Sequence, residues 1–227
     1  MAQPDTNDRS SFPELARIAP PVFEMLFAGR RPERYGAGQY LFLQDDAADR
    51  IYGVVKGTVE ISHYSSDGQK LVANIELSQS VVGEIAALDG YPRTATAVCL
   101  TDCELVSVSR AQLFERIERN PVLARAMIEL LCARLRWVSS ELEGKAFFDI
   151  EARLAKRLNF LAGFMTDTDG WITVSQSELA EFLGATRESI NKTLGDWRDR
   201  SLISLKRGGL RIVNGAALRR IAKAQED

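Results

Sequence analysis

Residues 82–96 read Val-Gly-Glu-Ile-Ala-Ala-Leu-Asp-Gly-Tyr-Pro-Arg-Thr-Ala-Thr, and the reading of the whole chain turns on this run. It contains the parts of an anion site. Gly83 lets the backbone approach a ligand closely, the amides after it can form a concave nest for a phosphate, and Arg93 offers a planar fork for phosphate oxygens. Thr94 and the amides of Ile85, Ala86 and Ala95 complete the donors. Glu84 is the discordant member, because a carboxylate beside a phosphate repels it. It must face a donor, and a sugar hydroxyl is the natural candidate, so a nucleotide is the economical occupant. The alternative is a short helix in which Glu84 and Arg93 form a structural ion pair with no ligand.

Upstream, residues 51–59 read Ile-Tyr-Gly-Val-Val-Lys-Gly-Thr-Val, a strand-turn-strand pattern. From residue 40 to 108, β-rich runs punctuated by Asp45-Asp46, Lys56-Gly57, Asp67-Gly68 and Asp89-Gly90 predict short antiparallel strands joined by tight turns. That is the signature of a roll or jelly roll. Residues 1–11 read as a polar tail, 13–28 as a short helix and 109–117 as a helical turn or two before Asn120-Pro121 opens the longest helix. On that helix Ala124, Ile128, Leu131, Leu135, Val138 and Leu142 recur at spacings 4, 3, 4, 3 and 4, the heptad seam of a two-stranded coiled coil. A homodimer follows. Glu143-Gly144-Lys145 weakens the helix after the seam, and Asp149 reads as the cap of a new helix over residues 150–162.

Residues 171–174 read as a short strand, and Ser175-Gln-Ser-Glu178 is a capping box that opens a helix over residues 178–183, ended by Gly184. Thr186 caps a second helix with Ile190, Leu194 and Trp197 on its apolar face and Arg187, Glu188, Asn191 and Lys192 on the other. This is a helix-turn-helix with a charged reading face. Arg187 can pair with guanine O6 and N7, Glu188 can accept from cytosine N4, and Lys192 can reach a second guanine or a phosphate. Residues 202–205 and 210–213 flank Lys206-Arg207-Gly208-Gly209, a hairpin with a basic tip. It makes a wing, and Ser175, Ser177, Thr186, Lys206, Arg207 and Arg211 are expected phosphate contacts.

Composition narrows the classes. With 227 residues, 45% apolar and both charge signs, the chain is expected to be a cytoplasmic globular protein without a membrane span. The net charge of −2 hides an asymmetry: residues 149–227 carry 13 Lys+Arg against 11 Asp+Glu, leaving 16 against 20 before them. The basic clusters sit late in the chain. A lone histidine, His63, leaves a metal-dependent enzyme short of ligands, and no nucleophile-base pairing suggests catalysis. Cys99 and Cys103, four apart in a strand-rich region, are expected on one face as small buried residues, and Cys132 stands apart.

The run containing Gly83, Glu84, Arg93 and Thr94, together with Thr186-Arg-Glu-Ser-Ile-Asn-Lys, resembles the Crp/Fnr superfamily of bacterial regulators over nearly the whole chain. The resemblance implies an α+β protein. Residues 1–118 would form a cyclic-nucleotide-binding β-roll (jelly roll) with an N-terminal helix, 119–148 a dimerisation helix and hinge, and 149–227 a winged helix-turn-helix. It implies no prosthetic group and no catalysis, but a cyclic nucleotide as allosteric ligand. Two copies would set their reading helices in successive major grooves about 34 Å apart on double-stranded DNA with a near-palindromic site. RNA polymerase is a possible further partner. The family's Arg-Glu-x-x-x-Arg pattern reads a TGTGA-type half-site, and Lys192 here lacks the bidentate fork of the last arginine, so relaxed specificity is expected there.

The same resemblance places Val138 and Ser139 at two base-contacting positions. Val138 lacks the hydroxyl that would bond the adenine amino group, a net loss of about 1 kcal/mol. Thr94 after Arg93 resembles the Arg-Thr pair of cyclic GMP-preferring domains. Cyclic AMP is favoured, with cyclic GMP next. A ligand-independent regulator, a redox or gas sensor on the same scaffold and a cyclic-nucleotide-regulated enzyme subunit are the remaining alternatives, although the cysteine group of iron-sulfur sensors is missing near the N-terminus.

Overall fold

In the computed structural model, which describes residues 17–223, the chain separates into two compact units that divide within one helix, between Val138 and Ser139. The first contains α1 (Pro20–Leu26), β1 (Glu33–Tyr35), β2 (Tyr40–Phe42), β3 (Arg50–Lys56), β4 (Val59–Tyr64), β5 (Lys70–Glu76), β6 (Val81–Val82), α2 (Glu84–Asp89), β7 (Thr96–Cys99), β8 (Cys103–Ser109), α3 (Arg110–Arg119) and most of α4 (Pro121–Phe147). Its strands form two antiparallel four-stranded sheets, ordered β1-β8-β3-β6 and β2-β7-β4-β5. The chain therefore crosses between sheets, as a roll requires. At the β3–β4 crossing Gly57 has φ +94°, and a Cβ there would lie 2.5 Å from Cys103 Sγ and 2.6 Å from the Asp102 carbonyl. Only glycine fits this corner.

One apolar cluster joins Tyr52, Val54, Val59, Val82, Ala97 and Leu105 across the two sheets. A second packs Leu26 and Phe27 against Ile51, Val106, Val108 and Leu113, and against Leu123, Met127 and Leu130 of α4. Four sequence expectations need correction. The first helix begins at Pro20, the N1 position that proline favours, and the part expected over residues 13–16 lies outside the described residues, as does the tail. Asp89-Gly90 closes helix α2 rather than joining strands, Gly90 taking φ +81° as its C-cap. Cys99 and Cys103 share no strand: they end β7 and begin β8, in different sheets, both buried and free. The long helix runs through the weakening expected at Glu143-Gly144-Lys145 without ending there and reaches Phe147; a Cβ on Gly144 would meet Phe148 Cδ2 in ordinary contact at 3.8 Å.

Helix α4 has two apolar faces. Leu123, Ala126, Met127 and Leu130 are buried in the first unit. On the other side Ile128 (62% exposed), Leu135 (67%), Val138 (51%) and Leu142 (68%) form an uncovered stripe, with Ala124 and Leu131 half-buried beside it.

The second unit holds α5 (Ile150–Ala162), β9 (Trp171–Ile172), α6 (Gln176–Leu183), α7 (Arg187–Asp199), β10 (Ile203–Lys206), β11 (Gly209–Ile212) and α8 (Gly215–Lys223), a helix the sequence reading did not anticipate. Asp149 caps α5 by accepting from the Ala152 amide at 2.8 Å, as expected. Ser175 caps α6, which starts two residues earlier than its box suggested because Gln176 and Ser177 already have helical geometry. The antiparallel sheet β10-β11-β9 sits beside a core of Leu154, Leu158, Leu161, Leu179, Phe182, Ile190, Leu194 and Trp197.

One charged side chain from α4 enters the interior of the roll unit. Arg134 Nη1 lies 3.0 Å from Glu76 Oε1, Nη2 donates to the Val81 carbonyl at 2.7 Å, and Nε lies 2.8 Å from Glu84 Oε1 without hydrogen-bond alignment. Asn74 Nδ2 donates to the same Glu76 oxygen at 2.9 Å, leaving Glu76 Oε2 buried and unbonded. Two buried carboxylates thus share one guanidinium. Burial draws Arg134 down, but Glu76 and Glu84 together hold it above the ordinary arginine value. Burial pushes the Glu84 carboxyl up from its ordinary value, against the pull of Arg134.

Arg134→Met should therefore cost about 3–5 kcal/mol in urea unfolding, because it strands two buried carboxylates. Glu84→Gln should cost much less, since Arg134 keeps Glu76. Glu84 holds its proton more tightly folded than unfolded, so its contribution to stability falls as pH rises from the ordinary carboxylate range through the raised folded value. Unfolding measured across that window should show the balance shifting toward Glu84→Gln with rising pH; a balance that is flat or moves the other way rejects the burial argument.

Candidate ligand pocket and nucleic-acid interface

The run at 82–96 folds as β6, a left-handed Gly83 and the short helix α2, followed by a loop that returns Arg93 to the glycine. Gly83 has φ +81° and, having no side chain, contributes no side-chain cap to α2. A Cβ on Gly83 would lie 2.5 Å from Arg93 Nη1. The arginine is itself buried: Nη1 donates to the Gly83 carbonyl at 2.8 Å, Nη2 donates to the Arg50 carbonyl at 2.6 Å, and the guanidinium stacks 4.1 Å from the centre of the Phe42 ring. Its Nε is buried with no partner. Burial lowers the Arg93 pKa, with Tyr52 and Asp49 opposing, yet it remains a cation.

Gly83, Glu84, Ile85, Ala86, Arg93, Thr94 and Ala95 line one cavity of about 50 Å³, with Phe42, Ile61, Val82 and Arg134. Seven expected ligand residues are brought together. Val138 and Ser139 are not among the lining residues, and both sit on exposed positions of α4. Glu84 forms an ion pair with the Arg134 guanidinium at 2.8 Å. Arg134, Glu76 and Phe42 escaped the sequence reading. Arg134 could have been found: it continues the buried stripe of α4 four residues after Leu130, where a lone charge needs a partner.

The second unit presents the expected reading residues together. Arg187, Glu188, Asn191 and Lys192 are all exposed on α7, while Ile190, Leu194 and Trp197 anchor the other side of that helix. Gly184, at φ +57°, makes the turn between α6 and α7. Trp197 Nε1 donates to Glu151 Oε1 at 2.7 Å, and Arg200 reaches the same carboxylate at 3.0 Å, which fixes α7 against α5. Arg153 Nη2 donates to the Leu183 carbonyl at the end of α6. Of the expected phosphate contacts, Ser177, Thr186, Lys206, Arg207 and Arg211 are exposed and Ser175 is half-buried. Ser175 and Thr186 already accept from the Glu178 amide (3.1 Å) and the Ser189 amide (3.2 Å) as caps, so helix initiation is their first role.

Burial pushes the Cys99 thiol up to about 12, with Cys103 beside it, a setting that suppresses thiolate chemistry. Among the described residues no cluster of His, Cys, Asp and Glu could hold a metal ion, and no helix is long and apolar enough to cross a membrane.

Comparison with known proteins agrees with this geometry. Residues 32–120 match the cyclic nucleotide-binding domain, and residues 152–221 the Crp-like helix-turn-helix domain. The chain is 30% identical over 211 residues to the CRP-like cAMP-activated global transcriptional regulator of Mycobacterium tuberculosis, covering 91% of this chain and 94% of that protein. It is 29% identical to the global nitrogen regulator of Synechococcus elongatus, covering 87% and 93%. A solved CRP-family transcriptional regulator of Thermus thermophilus superposes with a TM-score of 0.67 at 27% identity, covering 84% of this chain and 96% of that one. A roll carrying the cyclic-nucleotide-binding run, a long helix and a Crp-like helix-turn-helix thus occur in one chain, which belongs to the CRP/FNR family of DNA-binding transcription regulators.

Proposed function

We propose that this protein is a homodimeric, sequence-specific transcription regulator switched by a cyclic nucleotide in the roll, cyclic AMP ahead of cyclic GMP. The observation that carries the ligand reading is Arg93: a buried cation with an unpartnered Nε, in the lining of a cavity whose other wall is an uncapped helix start. The cAMP-activated relative from Mycobacterium tuberculosis supports cyclic AMP. Thr94, exposed beside Arg93, supports the guanine alternative.

A cavity of about 50 Å³ is far below the roughly 300 Å³ at which ligand pockets begin. Binding must therefore open it. A cyclic phosphate would draw Arg93 off the Gly83 carbonyl, and a ribose hydroxyl would replace Arg134 at Glu84. Glu76 keeps Arg134 paired through that exchange, so no bare charge is left behind. The displacement acts on α4, whose last turns belong to the second unit, where Glu141 lies 3.5 Å from Arg157 of α5. A shift in α4 thereby reaches the helix that supports α6 and α7, and the ligand moves a population between DNA-competent and incompetent arrangements. The closed cavity favours one second reading, a regulator that works without nucleotide.

The uncovered stripe Ile128, Leu135, Val138 and Leu142 is the dimer seam in this proposal, and two copies require a near-palindromic site read by Arg187, Glu188, Asn191 and Lys192. RNA polymerase is the downstream partner in the cytoplasm.

Calorimetric titration with cyclic AMP and cyclic GMP tests the ligand: micromolar binding of either supports the switch, and no heat with both leaves the nucleotide-free regulator. Arg93→Leu should weaken nucleotide binding by about 1.5–3 kcal/mol, roughly 10- to 150-fold in Kd, while fold and dimer persist. Leu135→Lys should convert the dimer to monomer in light scattering, because it places a charge in the seam of both copies. An unaltered dimer would assign the stripe another partner.

A further inference from the structure

We propose that Trp171 is a positioning residue for DNA binding, an aromatic plate that holds Lys206 and Arg211 in place for the phosphate backbone. The inference rests on the DNA-binding reading above and extends it to a residue outside the reading helix. Trp171 lies in β9 directly opposite Arg211 of β11, and Arg211 is opposite Ser204 of β10. Side chains alternate along a strand, so Trp171, Arg211, Ser204 and Lys206 share one face of the wing sheet, while Ile172, Leu210 and Ile203 are buried on the other. On the shared face Lys206 Nζ stands 4.4 Å from the centre of the Trp171 ring and Arg211 Cζ 5.1 Å from it. Both lie within cation–π range, and tryptophan is the best ring for it.

Two glycines clear the ground for these side chains. A Cβ on Gly209 would lie 3.2 Å from Lys206 Cε and 3.7 Å from its Cγ; a Cβ on Gly170 would lie 3.6 Å from Arg211 Cδ and 3.8 Å from its Cγ. Each cation thus runs its methylene stem over a residue without a side chain on its way to the same ring. Both remain exposed, and among the described residues neither has a carboxylate partner in a salt bridge that would oppose a phosphate. Free lysine and arginine side chains lose much rotamer freedom on meeting a phosphate, and a cation already parked on the ring loses less. The ring therefore raises affinity without reading a base, and its effect belongs to the electrostatic, salt-dependent part of binding.

The test uses the full-length protein and a duplex selected from random sequence by the wild type, with affinity measured across a salt series. Trp171→Leu should weaken binding about 3- to 10-fold and flatten the dependence of log K on log salt by up to about 0.9 for each cation released, with the selected sequence unchanged. Trp171→Phe should restore most of the slope. In the Lys206→Met, Arg211→Met background, Trp171→Leu should add nothing. The proposal is overturned by a wild-type salt slope in Trp171→Leu, or by a loss that adds in full to that of the double methionine variant, since the ring would then act on its own. Thermal melts separate a folding defect, and a Trp171→Leu that melts early is judged from Trp171→Phe and from the methionine background. Failure of the wild type to select any duplex defeats the DNA-binding reading itself.

Discussion

Arg134 brings one positive charge to two buried carboxylates, and the ligand unit is organised around that shortage. Among the described residues Arg134 is the one cation within salt-bridge distance of Glu76 and Glu84, with Arg17 acting on Glu76 and Arg93 on Glu84 from further away, so the long helix is tied to β5 and to the start of α2 through a single guanidinium. A buried charge pair of this kind contributes little net stability compared with apolar packing, but removing one partner is costly. Its value lies in exchange. In the proposed switch Glu84 gives up Arg134 for a ligand donor while Glu76 retains it, so the helix contact changes without exposing an unpaired charge.

The same helix has to satisfy two surfaces. Leu123, Met127 and Leu130 complete the core of the first unit, and Ile128, Leu135, Val138 and Leu142 are left uncovered on the other side. A helix apolar on both sides is not stable as a solvent-facing element, and its second face calls for a partner. Arg134 on the inner stripe and Leu135 on the outer one are neighbours, so the proposed ligand contact and the proposed dimer seam lie within one turn of each other.

In the second unit the exposed face of α7, the proposed reading face, depends on buried residues behind it. Trp197 is held by Glu151, the same carboxylate receives Arg200, and Arg153 caps the end of α6, so the angle of α7 is set from α5. Arg157 adds a second link: it is buried against Phe160 and Phe182 and faces Glu141 of α4 at 3.5 Å. Trp171 is proposed to play the corresponding part for the wing, where its ring lies 4.4 Å from Lys206 Nζ and 5.1 Å from Arg211 Cζ.

Much of this was legible from local pattern. The roll, the long helix with its exposed apolar stripe, the capping box at Ser175, the cap at Asp149, the turn at Gly184 and the exposed face of α7 all follow from periodicity and turn chemistry, which act over a few residues and leave a mark at fixed spacing. The run at 82–96 likewise marked residues that line one cavity. Tertiary structure alone decided the ion pair of Glu84, because Arg134 lies fifty residues away and no local rule pairs it with Glu84 and Glu76. It also decided that Arg93 stacks on Phe42 and fills its own cavity, that Cys99 and Cys103 end in different sheets, and that Trp171 lies under Lys206 and Arg211. Each of these is a contact between distant segments, and such contacts are set by the packing of whole elements, which spacing along the chain does not encode.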